Sequence, residues 1–156
     1  MIIRQFRDAD AKTVSDLIIT CLKEINSKYY PQDVIEKIIE QHSPKKIRER
    51  AQNQLVLVAD QYDEIVGTAT INFDSNYFGS VFVQPKYQGK GIGKQLMDNL
   101  ERLVAKKGTK VVKIHASINA VEFYEKLGYE RIRLVNDEIF GKSYKMTKDI
   151  SNLTCD

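Results

Sequence analysis

Three glycines, Gly89, Gly91 and Gly93, alternate with lysine and isoleucine in the segment QGKGIGK. Glycine allows backbone conformations and approach distances that a Cβ atom would block. An apolar strand pattern precedes the segment and a helical pattern follows it. Free backbone N–H groups and the positive end of a helix dipole would therefore surround one small concavity. An amide donor and two positive charges are added by Gln88, Lys90 and Lys94. The segment predicts a binding site for a pyrophosphate.

Two common nucleotide-binding motifs do not fit this spacing. A dinucleotide fingerprint, G-x-G-x-x-G, needs glycine at Lys94 if it begins at Gly89, and at Leu96 if it begins at Gly91. A P-loop ending on Gly93 and Lys94 needs glycine at position 88 and Ser or Thr at position 95, and both are glutamine. A glycine-rich turn without a ligand is the remaining alternative.

A second segment, SINAVEFYEKLGYER at 117–131, accompanies the glycine segment. The first segment, following a strand and the V-x-P turn at 83–85, resembles the Q/R-x-x-G-x-G/A acetyl-coenzyme A loop of the GCN5-related N-acetyltransferases (GNAT). The second is similar to that family's Asn before a helix containing FYEKLG. The two motifs occur in the expected order, and the resemblance extends over nearly residues 1–150.

The resemblance implies acetyl-coenzyme A as co-substrate and no metal. The loop amides would hold its pyrophosphate. The pantetheine arm would pair with the preceding strand, in a slot where that strand splays from the next one, KVVKIHA. The backbone amide of Phe82 would polarise the thioester carbonyl, as an oxyanion site does. The implied coenzyme-binding residues are Val81, Phe82, Val83, Gln88, Gly89, Lys90, Gly91, Ile92, Gly93, Lys94 and Asn119.

Three of the residues in these motifs have simpler structural alternatives. Gly79 either marks the bulge that opens the splay or is an ordinary strand glycine. Asn119, three residues before Glu122, fits a capping box as well as a coenzyme contact. Tyr124 would be the general acid for the leaving thiolate, because a phenol with a pKa of about 10 is protonated at neutral pH. Packing in the core is its alternative.

The general base is less well marked. Many relatives carry a glutamate on the strand before the loop, but YFGSVFV contains no carboxylate, and Asp74 only precedes it. His115, on the neighbouring strand, could take a proton from the amine at a pKa of about 6.5. A histidine satisfied within the strand and a water relay are the alternatives. His42, in a polar segment, is expected at the surface.

The acceptor would be a small-molecule or peptide amine that the sequence does not identify. In this family the first helices and the last hairpin flank the acceptor, which makes Tyr29 and Tyr30 candidates on the substrate side. A coenzyme-binding regulator without catalysis is the alternative function. No reader motif for nucleic acid is present, and a homodimer is a family-level expectation only.

These residues need a fold to position them, and the apolar pattern predicts one. Helical spacing joins Val14, Leu17, Ile18, Cys21, Leu22 and Ile25, and two further helices follow before residue 53. Three consecutive strands, over 54–60, 64–73 and 77–85, precede strand–helix alternation and a closing hairpin. We expect an α/β (α+β mixed) fold of the GNAT type in residues 1–150, with a mostly antiparallel sheet and helices on both faces.

Composition is that of an ordinary globular domain, with 42% hydrophobic and 29% charged residues. Residues 81–156 hold 14 Lys/Arg against 9 Asp/Glu, a balance of +5 that suits an anionic ligand. Arg4 and Arg7 interrupt any signal-peptide core, and no apolar run is long enough for a membrane span. Cys21 and Cys155 have no metal or redox spacing, so we expect a cytoplasmic protein. Residues 151–156 are expected to form a flexible tail.

Overall fold

The computed structural model, which describes residues 1–153, contains one sheet of seven strands. In chain order they are β1 (Ile2–Gln5), β2 (Leu55–Gln61), β3 (Glu64–Asn72), β4 (Tyr77–Val83), β5 (Val111–Ser117), β6 (Glu130–Asp137) and β7 (Gly141–Asp149). Their spatial order is β1-β2-β3-β4-β5-β7-β6. Only β4 and β5 are parallel, and all other neighbours are antiparallel. The predicted mixed and mostly antiparallel sheet is confirmed.

Within residues 1–153, helices pack against both faces of this sheet. They are α1 (Ala11–Glu24), α2 (Gln32–Glu40), α3 (Pro44–Asn53), α4 (Ile92–Ala105) and α5 (Val121–Lys126). One core cluster packs side chains of α4 and α5 against the sheet, and a second cluster holds those of α1, α2 and α3. The apolar face predicted for α1 is buried through Leu22, because its spacing matches the helical repeat.

Strand β4 is interrupted by a bulge. Its register against β3 shifts, so that Ser80 and Val81 together stand opposite one residue of β3. The flanking pairs are Thr68 with Phe82 and Thr70 with Gly79. Ser80 has φ +48°, in the left-handed region that non-glycine residues seldom adopt. The bulge therefore begins directly after Gly79, where the sequence suggested it.

Strands β4 and β5 separate soon after they meet. They pair only through Tyr77 with Lys113 and Phe78 with Ile114. Beyond Phe78 the bulge turns β4 away, and the two strands enclose an opening in the middle of the sheet. This is the splay that the family resemblance implied.

The chain after β7 turns back onto the core. The amide of Leu153 donates to the carbonyl of Ile150 at 2.9 Å, and its side chain packs against the cluster under α4. Residues 154–156, including Cys155, lie outside the described residues. In residues 1–153 no helix is both long and apolar enough to cross a bilayer.

Candidate active site

The glycine segment forms the turn from β4 into α4. Gly89 and Gly91 have φ of +77° and +82°, and a Cβ atom added at either would meet nothing within 4 Å. The first helical bond at this end runs from the Gln95 amide to the Gly91 carbonyl, at 3.1 Å. In the described chain the amides from Gly89 to Gly91 make no hydrogen bond, and those of the first helical turn have no intrahelical partner. Free N–H groups therefore surround an open concavity.

The third glycine has a different role. A Cβ atom at Gly93 would lie 2.9 Å from Cζ of Phe123 and 3.1 Å from its Cε1. Gly93 is buried and lets α4 pack closely against α5. It contributes to the site by positioning α5, whereas Gly89 and Gly91 shape the concavity itself.

The two lysines of the segment differ in how free their charges are. Lys94 Nζ lies 2.7 Å from the Asp98 carboxylate, in an exposed i,i+4 ion pair. Lys90 Nζ lies 5.7 Å from the ring centroid of Tyr87 and has no carboxylate partner among residues 1–153. Lys90 is thus the freer of the two charges beside the concavity.

The backbone of β4 presents hydrogen-bonding groups to the splay. Gln84 N donates to Val66 O at 2.8 Å, and bonded pairs alternate along antiparallel strands, so Phe82 also bonds to β3. Ser80, in the left-handed conformation, accommodates the one-residue insertion of the bulge. By the same alternation, the N–H and C=O groups of Val81 and Val83 point away from β3 and face the opening. In this pattern the amide directed into the opening is that of Val81, and that of Phe82 is directed to β3. The thioester contact predicted for the amide of Phe82 stays a prediction.

Hydrogen bonds from two side chains show that the Val83 carbonyl points away from β3. This oxygen accepts hydrogen bonds from Gln88 Nε2 at 3.3 Å and from the thiol of Cys21 at 3.1 Å. Burial raises the pKa of Cys21 to about 12, so its sulfur keeps the proton that it donates. Cys21 is a buried structural residue, as its place on the apolar face of α1 predicted.

Asn119 does not cap α5. The N-cap of this helix is Ala120, and no side-chain capping bond is present. The Oδ1 atom of Asn119 is buried without any hydrogen-bond partner in the described chain, and the residue lines the cavity beside the loop. A buried carbonyl oxygen without a donor is costly, so the capping alternative is wrong and a ligand donor fits the site.

Tyr124 is 7% exposed and projects from α5 to the splay. Edge-to-face contacts with Phe123 and Tyr129, at centroid distances of 4.9 and 5.7 Å, hold its ring. Burial raises the pKa of Tyr124 above its ordinary value of 10, so the phenol is fully protonated at neutral pH. No group in residues 1–153 is within hydrogen-bond distance of its hydroxyl. Tyr124 therefore belongs to the core and also keeps a free donor.

Two cavities meet at this hydroxyl. The coenzyme-side cavity, of about 640 Å³, extends from the glycine loop along β4. The acceptor-side cavity, of about 570 Å³, lies between β4, the β6–β7 hairpin and the α2–α3 region. The residues that line both are Asn26, Val81, Phe82, Ser117, Ala120 and Tyr124. A group passing from one cavity to the other would do so beside Tyr124 and Val81.

The other predicted side chains are divided between these cavities. His115 lines the acceptor side and stacks on Tyr77 at a centroid distance of 4.9 Å. Tyr30 also lines it, but its hydroxyl donates to Lys142 O at 2.5 Å and accepts from Ile118 N at 2.9 Å. Tyr29 is half exposed and lines the coenzyme side instead. Of the two tyrosines, only Tyr30 is on the acceptor side.

Sequence reasoning missed His42 and Arg50, which line the acceptor-side cavity. The prediction that His42 is at the surface is wrong: it is 4% exposed. Its Nδ1 lies 2.8 Å from Ile38 O and its Nε2 3.2 Å from Ser80 Oγ. Arg50 projects from α3 and donates to Gln41 O at 2.8 Å. Both lie in a polar segment, and only tertiary packing brings them to the cavity.

No group of three or more His, Cys, Asp or Glu side chains in residues 1–153 is arranged to hold a metal ion.

Comparison with known proteins gives the same family as the two motifs. Residues 25–148 match the sequence model of the acetyltransferase (GNAT) domain. A Bacillus subtilis (strain 168) protein named as an acetyltransferase is 36% identical over 66 residues, which are 41% of this chain and 45% of that protein. The matched region spans less than half the length of the curated relatives.

Solved structures match along almost the whole chain. A structure described as a GCN5-related N-acetyltransferase from Rhodopseudomonas palustris has a TM-score of 0.89 at 25% identity, covering 96% of this chain and 95% of that one. PaiA N-acetyltransferase of Thermoplasma acidophilum, solved in complex with coenzyme A, has a TM-score of 0.81 at 22% identity, covering 95% and 98%. The chain belongs to the GCN5-related N-acetyltransferase (GNAT) family.

Proposed function

We propose that the protein transfers the acetyl group of acetyl-coenzyme A to the nitrogen of a primary amine, with both substrates bound together. The observation that carries this proposal is the meeting of the two cavities beside the free hydroxyl of Tyr124 and the unpaired backbone of Val81. Acetyl-coenzyme A would supply the activated acyl group, and the chain would bind, orient and exchange protons with the reacting atoms.

The coenzyme-side cavity fits this co-substrate. The amides from Gly89 to Lys94 would hold the pyrophosphate, with Lys90 adding charge. Val83 would pair with the amides of the arm, and the orphan oxygen of Asn119 would accept from one of their N–H groups. Apart from the Val83 carbonyl, which accepts from Gln88 Nε2 and the Cys21 thiol, these groups lack a hydrogen-bond partner in the described chain. Together they follow the cavity from the loop to Tyr124.

The chemistry would take place at Val81 and Tyr124. The amine nitrogen bonds to the thioester carbonyl carbon as the carbon–sulfur bond breaks. The Val81 amide would stabilise the negative charge that develops on the carbonyl oxygen. The Tyr124 hydroxyl would give its proton to the departing sulfur. Solvent would then return a proton to the phenolate.

The amine must lose a proton before or during attack. Burial, together with the charges of Lys145 and Arg133, lowers the pKa of His115 below its ordinary 6.5. His115 is therefore neutral at pH 7 and can take this proton, directly or through water in the acceptor-side cavity. The cytoplasmic location and the homodimer expected from the sequence stay predictions.

Thiol release from acetyl-coenzyme A over a panel of primary amines tests the proposal. We expect turnover with at least one amine, and Tyr124→Phe should lower kcat by about 10²-fold or more with unchanged coenzyme affinity. As a matched variant, Asn119→Ala should weaken coenzyme A binding by about 5- to 100-fold. It should not lower the unfolding free energy of the ligand-free protein, because no capping bond is lost and a buried oxygen without a donor is removed.

The same assays separate the alternative function. A regulator would bind coenzyme A, turn over no amine and respond to neither substitution in a rate measurement. Absence of coenzyme A binding by the unsubstituted protein would contradict both functions.

A further inference from the structure

Arg50 differs from every other arginine in residues 1–153. Only Arg4 and Arg50 are sheltered from solvent, and the rest are exposed. Arg4 is neutralised twice, by Asp10 at 2.8 Å and by Asp60 at 3.2 Å. Within the described chain Arg50 has no carboxylate within ion-pair distance, and its one hydrogen bond goes to the neutral Gln41 carbonyl. It is a sheltered cation without a counter-ion.

Holding this unpaired charge away from water lowers the stability of the ligand-free protein. Burial lowers the pKa of Arg50, and no acidic group raises it again. A guanidinium nevertheless stays charged at neutral pH, and a charge taken out of water needs a partner. Of its five N–H donors one is used, which leaves enough for a two-point contact with an anion.

The position of Arg50 connects it to the reaction centre. It lines the acceptor-side cavity, and its charge adds to burial, the main cause, in lowering the pKa of His42. His42 in turn contacts Ser80 at 3.2 Å, and its ring lies edge-on to that of Phe82. Arg50 thus lines the same cavity as the bulge and Val81.

Other charges in the cavity do not neutralise this end. Asp137 is the only carboxylate among the described lining residues, and it stands at the end of β6. Its Oδ1 accepts from the amides of Ile139 at 2.8 Å and Phe140 at 2.9 Å. Gln54 and Asn72, which also line this cavity, are uncharged, and Lys142 is a further cation on its lining.

We propose that the acceptor is a primary amine that also carries a carboxylate, and that Arg50 binds this carboxylate while the amine reaches Val81 and Tyr124. One unpaired guanidinium matches one negative charge, which favours an amino-acid-like acceptor over a polycationic amine. The proposal rests on the proposed acetyl transfer and specifies its substrate class.

Matched pairs of acceptors test it. Each pair is an amino acid, at several chain lengths, and the amide of the same compound, and an aminoalkyl phosphate forms a third arm. The protein should prefer the carboxylate member of at least one pair by about 10- to 100-fold in kcat/KM, the range of a charged hydrogen bond. Equal kcat/KM values within every pair, or a preference for the phosphate alone, would overturn the carboxylate assignment.

Substitution then assigns the preference to Arg50. Arg50→Gln should remove the discrimination within the pair and leave the KM for acetyl-coenzyme A unchanged, and Arg50→Lys should restore part of it. Arg48→Gln, on an exposed position of the same helix, is the matched control and should keep the preference. Discrimination that persists in Arg50→Gln would contradict the proposal. If Arg50→Gln does not fold, the preference within the acceptor pairs, compared between the unsubstituted protein and Arg50→Lys, still tests whether Arg50 binds the carboxylate.

Binding measurements keep this inference separate from the proposed function. If coenzyme A binds and no amine turns over, acetyl transfer has failed as the function. Calorimetric titration of the coenzyme-loaded protein with the same pairs then decides the role of Arg50, through tighter binding of the carboxylate member or equal binding of both.

Discussion

His42 has both ring nitrogens occupied. Ile38 O can only accept a hydrogen bond, so Nδ1 must donate to it, and Nε2 is left to accept from the Ser80 hydroxyl. The ring is neutral at pH 7 because burial, as the main cause, lowers the pKa of His42 to about 4, and a neutral ring makes the two bonds in this way. Ser80 is also the left-handed residue of the bulge, so the imidazole supports the backbone turn that directs Val81 into the splay.

The neutral state of His42 should make stability depend on pH. Burial, as the main cause, lowers its pKa to about 4 from the ordinary 6.5. As the pH falls below 6.5 the unfolded chain binds this proton before the folded protein does, so stability present above pH 6.5 is lost between 6.5 and 4. We expect a loss of about 2 kcal/mol between pH 7.5 and pH 5 from this group. Chemical denaturation at the two pH values measures it.

The contribution of His42 is isolated by comparison with His42→Gln, which should show a smaller difference between the two pH values. An NMR titration of the unsubstituted protein gives the pKa directly. Protonation of His42 near pH 6.5 in the folded state would show that its ring is not held neutral.

At the scale of elements, the contact between α4 and α5 determines where Tyr124 points. Gly93 and Phe123 form this contact, and the hydroxyl of Tyr124 projects from the next residue. A methyl group at Gly93 would lie within 2.9 Å of the Phe123 ring and push α5 away from α4. The packing of two helices and the position of the proposed acid are thus coupled.

Gly93→Ala should therefore lower the free energy of unfolding by about 1 to 3 kcal/mol, the usual cost of overpacking. It should also lower kcat, because Tyr124 moves with its helix. Urea denaturation and steady-state kinetics measure the two effects. Gly79→Ala is the stability control, since a Cβ atom there meets nothing within 4 Å and φ is not left-handed. Equal stabilities of the two variants would contradict the packing role.

The elements were largely predictable from the sequence, whereas parts of the site were not. The spacing of Val14, Leu17 and Ile18 depends only on the helical repeat, so α1 could be predicted from it. The unpartnered oxygen of Asn119 could not be predicted, because in the sequence Asn119 and Glu122 fit a capping box equally well. Only the structure shows that Ala120 is the N-cap residue. Arg50 lines the cavity because of how α3 packs in the fold, and the local sequence pattern does not predict that packing.

At the scale of the whole molecule, the splay separates the sheet into two parts. β1 to β4 lie on one side and β5, β7 and β6 on the other, with the pairs at Tyr77 and Phe78 as the connection along the sheet. A ligand in the coenzyme-side cavity would contact Val83 on one part and Asn119 on the other. Binding should therefore join the two parts.

Coenzyme A at about 100 times its Kd should stabilise the protein by about 2.7 kcal/mol, which raises Tm by roughly 5 to 10 °C at this size. Thermal unfolding measures the shift. Hydrogen exchange should slow both in β4 near Val83 and in the segment after β5 near Asn119. Adenosine 3′,5′-bisphosphate, which lacks the arm, is the control and should protect only the glycine loop. Protection confined to the loop with full coenzyme A would contradict the bridging.

The backbone of Val81 and Val83, which faces the splay and pairs with no strand there, also bears on aggregation. A row of free N–H and C=O groups at the outer edge of a sheet is a template for pairing with another chain. Here the row is inside the sheet, and β5 and its neighbours stand in the path of any approaching strand. A slender extended ligand can enter where a second polypeptide cannot. The protein can therefore keep this side of β4 without a partner strand between catalytic cycles and still not pair with copies of itself.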